Sequence, residues 1–346
     1  MFTIIDYLKN YKDIMVKDVH WNTLDNLLCA ILVYIPLSTF SGKKSLDKFY
    51  LEAQMVKPIP EETGEMVRTA YEALEIIKGS KRYSKIVISE FTKLTNEDTQ
   101  FGACTFRMSG KTVISFKGTD SSLIGWIENF RVTYSYPTNT HLLAIEYIKA
   151  NTGKLTDKEV YIVGHSKGGN LAMVGAMEAP PAIYKKIQQV YNFDGPGLRK
   201  EQFESEKFKA LTEKLVNVLP TGSVIGVLLY NENYTVVKSD GIAFSQHYPV
   251  TWNVFGEFFV PGIISNISAQ LHENSTIGIE NLDPVQMQEA FETVFLNLEK
   301  SFSSKINFSV DEIFKIYKNM KNLDPEISQS IDKIVGSVLK IGAGRN

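Results

Sequence analysis

The sequence predicts an α/β protein: a mostly parallel sheet covered by helices on both faces, with extra helices toward the N- and C-terminal ends. Three observations carry that expectation. Near Gly79 the hydrophobic pattern changes from helix-like spacing to short β-branched and aromatic runs. In the middle of the chain such runs alternate with helical patterns, as a parallel sheet with crossover helices requires. The apolar run Val160–Val163 passes through Gly164-His165-Ser166-Lys167-Gly168 directly into a small-residue helical stretch, Asn170–Met177.

Taken in order, the segment to about Gly79 reads as helical. Asp25–Tyr34 is strongly apolar, and Glu61–Lys78 carries apolar residues at helical spacing. Leu27–Leu37 is too short to span a bilayer and reads as a buried helix. Asp25 within it reads as a buried cap, not a reacting group. Lys85–Phe91, Ala103–Met108 and Thr112–Phe116 read as strands, with a hairpin at Ser109-Gly110-Lys111. Helices are expected at Leu123–Phe130 and His141–Ala150. Further strands are expected at Gln189–Phe193, Leu215–Leu219 and Tyr234–Lys238. Asn253–Leu271 is apolar but interrupted by Gly and Pro, so it is not one long regular helix. It is expected either to cover or line a pocket, as a movable lid, or to connect the core to the helical patterns Pro284–Ser301 and Val310–Leu339. The expected organisation is a core domain over residues 1–255, including the N-terminal helical segment 1–79, followed by residues 256–346 packed on it.

Composition narrows the function. The chain has 346 residues, 44% hydrophobic and 22% charged, ordinary values for a globular protein with a sizeable core. A net charge of −2 gives no bias toward nucleic acid. The 2 cysteines, Cys29 and Cys104, suggest neither a disulfide framework nor a zinc site. The first residues lack the basic-then-apolar layout of a signal peptide. A cytoplasmic setting is therefore expected, with no transmembrane segment and with peripheral membrane contact left open. Neither a phosphate-binding G-x-x-x-x-G-K-[ST] loop, nor a G-x-G-x-x-G after a strand, nor a metal-ligand spacing occurs, so no cofactor is expected.

Strand, G-x-S-x-G and helix together are the context of a nucleophile elbow. So sharp a turn puts its Ser in a strained conformation and leaves no room for side chains at Gly164 and Gly168. It aims the Ser166 hydroxyl at the positive end of the following helix. The alternative is a strand-to-helix turn in which Ser166 only caps the helix. A nucleophilic Ser needs a base, an acid to orient that base, and an oxyanion hole. Among 5 histidines, His20 and His141 precede the elbow and His165 lies within it, pointing away from Ser166. His247, in a loop-like stretch after a late strand, is preferred over His272. One oxyanion donor is expected to be the Lys167 amide. Lys167's side chain is expected to face solvent or the rim of the site. The other donor is expected from Gly118-Thr119, where Thr119 offers an N–H and a hydroxyl at the end of a strand; Thr119 or Asp120 as a helix cap is the alternative.

Phe116-Lys-Gly-Thr119 with Trp126, and Gly164-His-Ser166-Lys-Gly-Gly-Asn-Leu-Ala, resemble the pattern of class 3 (fungal-type) lipases. More of the chain resembles a family of bacterial lipase-like α/β-hydrolases. The added matches are Thr23-Leu-Asp-Asn-Leu-Leu, Lys117-Gly-Thr-Asp120, Tyr191-Asn-Phe-Asp194-Gly-Pro-Gly-Leu, and Ser239 through Gln246-His247-Tyr-Pro-Val-Thr-Trp252, all within about residues 1–255. The resemblance implies an α/β-hydrolase fold and hydrolysis of a small-molecule or lipid ester through an acyl-enzyme. It supplies no substrate. Class 3 lipases usually carry their Asp after a later strand, but the comparable stretch here, Asn217–Gly226, has no carboxylate. Asp194, at the end of the strand expected beside the elbow strand, is the candidate acid, and Asp240 is its runner-up. The competing functional readings are a hydrolase scaffold retained for binding, and thioester or amide hydrolysis on the same machinery.

Overall fold

The computed structural model describes residues 2–59, 63–96, 99–108, 110–119, 131–153 and 157–280, with Val285 and Gln288. The expected helices at Leu123–Phe130, Pro284–Ser301 and Val310–Leu339, and Trp126, lie outside the described residues.

Among the described residues, the sheet has eight strands that follow one another in sequence order: β1 (Phe40–Ser45), β2 (Val87–Thr95), β3 (Gln100–Met108), β4 (Lys111–Phe116), β5 (Glu159–His165), β6 (Ile187–Phe193), β7 (Leu215–Pro220) and β8 (Tyr234–Val237). Pairing is antiparallel from β1 to β4 and parallel from β4 to β8. The expected hairpin joins β3 to β4, with Met108 opposite Lys111 and Gly110 at φ +88°.

The unreversed order decides how the sheet is covered. Right-handed crossovers that always step the same way put every crossover helix on one face. That face carries α5 (Asn139–Asn151), α6 (Lys167–Met177) and α7 (Glu206–Thr212), packed on Ile114, Phe116, Val160, Ile162 and Val190. The alternate strand residues, Val113, Val163, Tyr191 and Phe193, point to the other face. Nothing in the crossovers can bury them. The N-terminal helices α1 (Ile4–Tyr11), α2 (Thr23–Leu32), α3 (Leu46–Met55) and α4 (Glu65–Ile77) supply that cover, and α2 lies directly on β4 and β5.

One N-terminal expectation needs correction: the segment to Gly79 is not helical throughout. Phe40–Ser45 forms the edge strand β1. Its residues are exposed or half-buried, so it has no apolar alternation to betray it. Asp25 is structural, as its context implied. It closes a capping box with Asn22 at the start of α2 and is buried against Arg82. Residues 253–271 form a two-stranded hairpin, β9 (Val254–Phe255) with β10 (Phe258–Phe259), and lead into α8 (Asn266–Glu280). Phe259 packs on Trp252, whereas Phe258 is 74% exposed. Among the described residues, no helix is long and apolar enough to cross a membrane.

Candidate active site

Parallel register brings the carboxyl ends of four strands side by side. Phe116 of β4 pairs with Gly164 of β5, His165 with Phe193 of β6, and Phe193 with Val218 of β7. The residues that follow therefore lie along one edge: Gly118-Thr119, then Ser166, then Asp194, then the loop from Thr221 to Gly226. Such an edge is where ligands meet open α/β sheets.

Ser166 occupies the N-cap position of α6 at φ +59°, ψ −134°, a region that costs a non-glycine residue of order 1–3 kcal/mol. Its side chain makes no capping hydrogen bond, so the capping alternative does not describe it. The strain is held by packing. A Cβ on Gly164 would lie 2.0 Å from the Gly168 carbonyl oxygen, and one on Gly168 would lie 2.1 Å from that of Phe116. The Ser166 N–H donates to Phe193 O at 3.0 Å, which fastens the elbow to β6.

Asp194 is fully buried and sits at φ +50°. Its turn is closed by Asn192, whose Oδ1 accepts from Gly195 N at 2.9 Å and whose Nδ2 donates to Gly195 O at 3.0 Å. The carboxylate is thereby left for other partners. Oδ2 accepts from His247 Nδ1 at 2.6 Å. Oδ1 accepts from the Ser223 hydroxyl at 2.5 Å and from Gly226 N at 3.1 Å. Since Nδ1–H faces the carboxylate, the neutral ring presents a bare Nε2, the tautomer a general base needs. The Ser166 side chain is not spent on capping α6, and Nε2 is the His247 ring nitrogen that Asp194 does not engage.

His247 ends a short 3₁₀ turn, Ala243–His247, as a loop histidine after the last strand of the main sheet. Its backbone is held as well as its ring. The carbonyl of His247 accepts from His165 Nε2 at 2.8 Å. His165 points away from Ser166, to the face under the N-terminal helices, and its Nδ1 meets the Tyr34 hydroxyl at 3.1 Å. Burial, and then the neighbouring His247, push the His165 imidazole well below its ordinary range. Tyr34, Asn192, Ser223 and Gly226 are supports that the sequence reading did not identify. Only Asn217–Gly226 carried a signal, as the stretch where a carboxylate was sought; it supplies donors to the carboxylate instead.

The Gly118-Thr119 loop abuts the elbow: a Cβ on Gly118 would lie 3.0 Å from the Cβ of Ser166. Thr119 is half-buried beside it. Lys167 opens α6, so its amide is one of the first-turn N–H groups at the positive end of the helix. The Lys167 side chain corrects an expectation. It is buried, not at the rim, with Nζ donating to Gln100 O at 2.6 Å and to Gln100 Oε1 at 2.9 Å. Its stem is buried while the ammonium finds oxygen acceptors on Gln100, the first residue of β3. Asp240 is exposed, and Asp194 holds His247. His272 lies in α8, with Nδ1 at 2.7 Å from Val227 O. Among the described residues, no cluster of His, Cys, Asp and Glu could hold a metal ion.

With this geometry in place, comparison with family models decides the kinship: the Mbeg1-like model matches residues 77–296. The chain belongs to the Mbeg1-like family. This is a lipase-like family, so the chain is placed coarsely among lipase-like hydrolases. No curated protein matches the chain. The Mbeg1-like match takes in β2 to β10 and with them Thr119, Ser166, Asp194 and His247. Helices α1, α2 and α3, Asp25 and Tyr34 precede it.

Proposed function

We propose that the protein is a serine hydrolase of the α/β-hydrolase type, acting on a carboxylic ester, with a lipid ester as the favoured class. One observation carries the reading: an imidazole oriented by a buried carboxylate stands at the same sheet edge as a strained serine whose hydroxyl is not used to cap its helix. Ser166 attacks the ester carbonyl while His247 Nε2 takes its proton. The Lys167 amide and Thr119 stabilise the oxyanion. His247 then protonates the departing alcohol, and the acyl-enzyme is hydrolysed by water activated in the same way. Asp194 orients the ring and favours the imidazolium that forms in each step. The lipase-like family and the elbow support this reading.

The decisive experiment is labelling of the full chain with a fluorophosphonate, paired with turnover of a short p-nitrophenyl ester. Ser166→Ala is expected to abolish labelling and lower kcat by about 10⁴-fold or more while leaving the melt nearly unchanged. Parental turnover in Ser166→Ala would sink the assignment. Silence of the parent protein toward the probe would favour a binding scaffold.

A further inference from the structure

Tyr34 follows α2, outside the family match and 131 residues before its partner His165. Its hydroxyl meets both Gly118 and His165 at the site. Gly118 N–H donates to Tyr34 Oη at 3.0 Å, and Tyr34 Oη lies 3.1 Å from His165 Nδ1. The directions of these bonds follow from elementary chemistry. A backbone carbonyl only accepts, so His165 Nε2, facing His247 O at 2.8 Å, must carry the proton. A neutral imidazole with Nε2–H has a bare Nδ1, and Nδ1 therefore accepts from the Tyr34 O–H. The phenol oxygen in turn accepts from Gly118. Burial keeps His165 neutral, in agreement with this assignment.

The result is a directed chain: Gly118 N–H to Tyr34 O–H to His165 Nδ1, then His165 Nε2–H to the carbonyl of His247. One end is the loop that abuts Ser166, and the other is the backbone of the histidine held by Asp194. Packing leaves this chain little room. A Cβ on Gly118 would fall 2.2 Å from Tyr34 Oη and 2.5 Å from His165 O.

We propose that Tyr34 is a positioning residue of the hydrolytic site: its hydroxyl ties the Gly118-Thr119 loop to the His165 ring and so aligns that loop with the backbone of His247. The inference rests on reading Ser166 as nucleophile and His247 as base. Without the phenol, His165 Nδ1 becomes a buried acceptor that has lost its donor, while the His247 carbonyl still holds the ring proton on Nε2. The ring then loses one of the two bonds that hold it against the His247 carbonyl, the second anchor of the base. Gly118 N–H would lose its acceptor in the same stroke.

The test uses the full chain, its Tyr34→Phe, His165→Gln and His165→Leu variants, and the Tyr34→Phe/His165→Leu double variant. In the parent, ¹⁵N spectra of the imidazoles are expected to place the His165 proton on Nε2; a proton on Nδ1 overturns the inference whether or not the protein hydrolyses esters. Tyr34→Phe is expected to lower kcat about 10- to 100-fold, the loss that an unpaired buried polar group converts to, with KM within about twofold. His165→Gln retains an amide donor for His247 O and is expected to stay within about tenfold of the parent, whereas His165→Leu falls at least as far as Tyr34→Phe. The double variant is expected to be no slower than His165→Leu alone, because one chain is broken once. A Tyr34→Phe protein that folds and keeps the parental kcat refutes the proposal, as do strictly additive losses. General loosening would instead raise KM, lower the melting temperature and show no rescue by Gln. Should Tyr34→Phe fail to fold, the Gln–Leu contrast and the parent tautomer decide. Should the parent neither label nor hydrolyse, the hydrolase reading fails, and the His165 proton still judges the chain.

Discussion

Asp25, in the N-terminal cover, and Asp194, at the carboxyl edge of the sheet, are both fully buried and both richly hydrogen-bonded, but they differ in the partner that meets their charge. Asp25 faces Arg82, with the guanidinium Nε at 2.9 Å and a second contact from Nη2, and accepts from Tyr7, Tyr83 and the Asn22 N–H. Burial first, and the carboxylate second, raise the Tyr7 and Tyr83 phenols, so both remain donors. Arg82 further donates to Val19 O and His20 O. A guanidinium does not give up its proton in proteins, so this network has one state and serves to lock the segments around α1 and α2. Asp194 instead faces an imidazole, backed by one hydroxyl and one amide. An imidazole oriented in this way can pass a proton to and from a reacting group, which a guanidinium cannot do. The chemistry of the partner, more than burial or the number of bonds, separates a carboxylate that holds structure from one suited to the proposed reaction.

The sharpest way to break this contrast is to neutralise each carboxylate. Asp194→Asn is expected to lower kcat by about 10⁴-fold with little change in KM, because the imidazole loses its orienting acceptor, while the melt moves little. A near-parental kcat would remove Asp194 from the mechanism; a collapse in Asp240→Asn would move the role there. Arg82→Leu should do the reverse. Leaving Asp25 buried without its cation costs about 3–5 kcal/mol, a loss visible in urea titrations, while kcat per folded molecule stays near the parent's. If Arg82→Leu instead abolishes turnover at full stability, the N-terminal network is not merely structural.

Acid should destabilise the protein through two further imidazoles. Burial pushes His141 down to about 4, against the pull of Asn170, and pushes His165 well below the ordinary range. Between about pH 6.5 and pH 4 the unfolded chain therefore binds more protons than the folded one, and stability falls as pH falls, by up to about 1.4 kcal/mol per pH unit for each histidine. Urea midpoints at pH 7.5, 6 and 5 measure this slope, and His165→Gln should remove the share due to His165. Ser223→Ala deletes one of the two donors that back Asp194 and is expected to cost about tenfold in kcat. At the small end, Phe258→Ser on the exposed hairpin is expected to change stability by less than about 0.5 kcal/mol; a larger loss would mean that the ring is covered in solution.

The legible parts of the molecule were those written in local patterns. The elbow, the hairpin at Gly110 and the strands β2 to β8 each announce themselves within ten residues or so. Asp194 could be chosen because the parallel register places the end of β6 beside Ser166. The rest depended on distant partners. Ser223 reaches Asp194 across 29 residues and Tyr34 reaches His165 across 131, and no spacing rule connects such pairs. Lys167 departs from expectation because a lysine is normally solvated, and its burial is supported by acceptors on Gln100, 67 residues earlier. β1 was missed for the opposite reason, being too exposed to show a pattern.

That exposed strand has a consequence for how the molecule behaves in a crowded solution. An open eight-stranded sheet ends in two rows of backbone donors and acceptors that invite another chain to add on. On one side, β1 presents Gly42, Lys43 and Lys44 and a break in register between Phe40 and Lys43, features that disfavour a flat apolar template. On the other side, the chain itself occupies the row: Lys238 N–H donates to Val260 O and Gly262 N–H donates to Val236 O, with Pro261 between them. A proline has no N–H to offer, so the segment closes the border of the sheet and does not extend it. The two ends of the sheet are thus guarded by different means, one by charge and irregularity and the other by a strap, and each leaves edge-to-edge aggregation without a ready starting point.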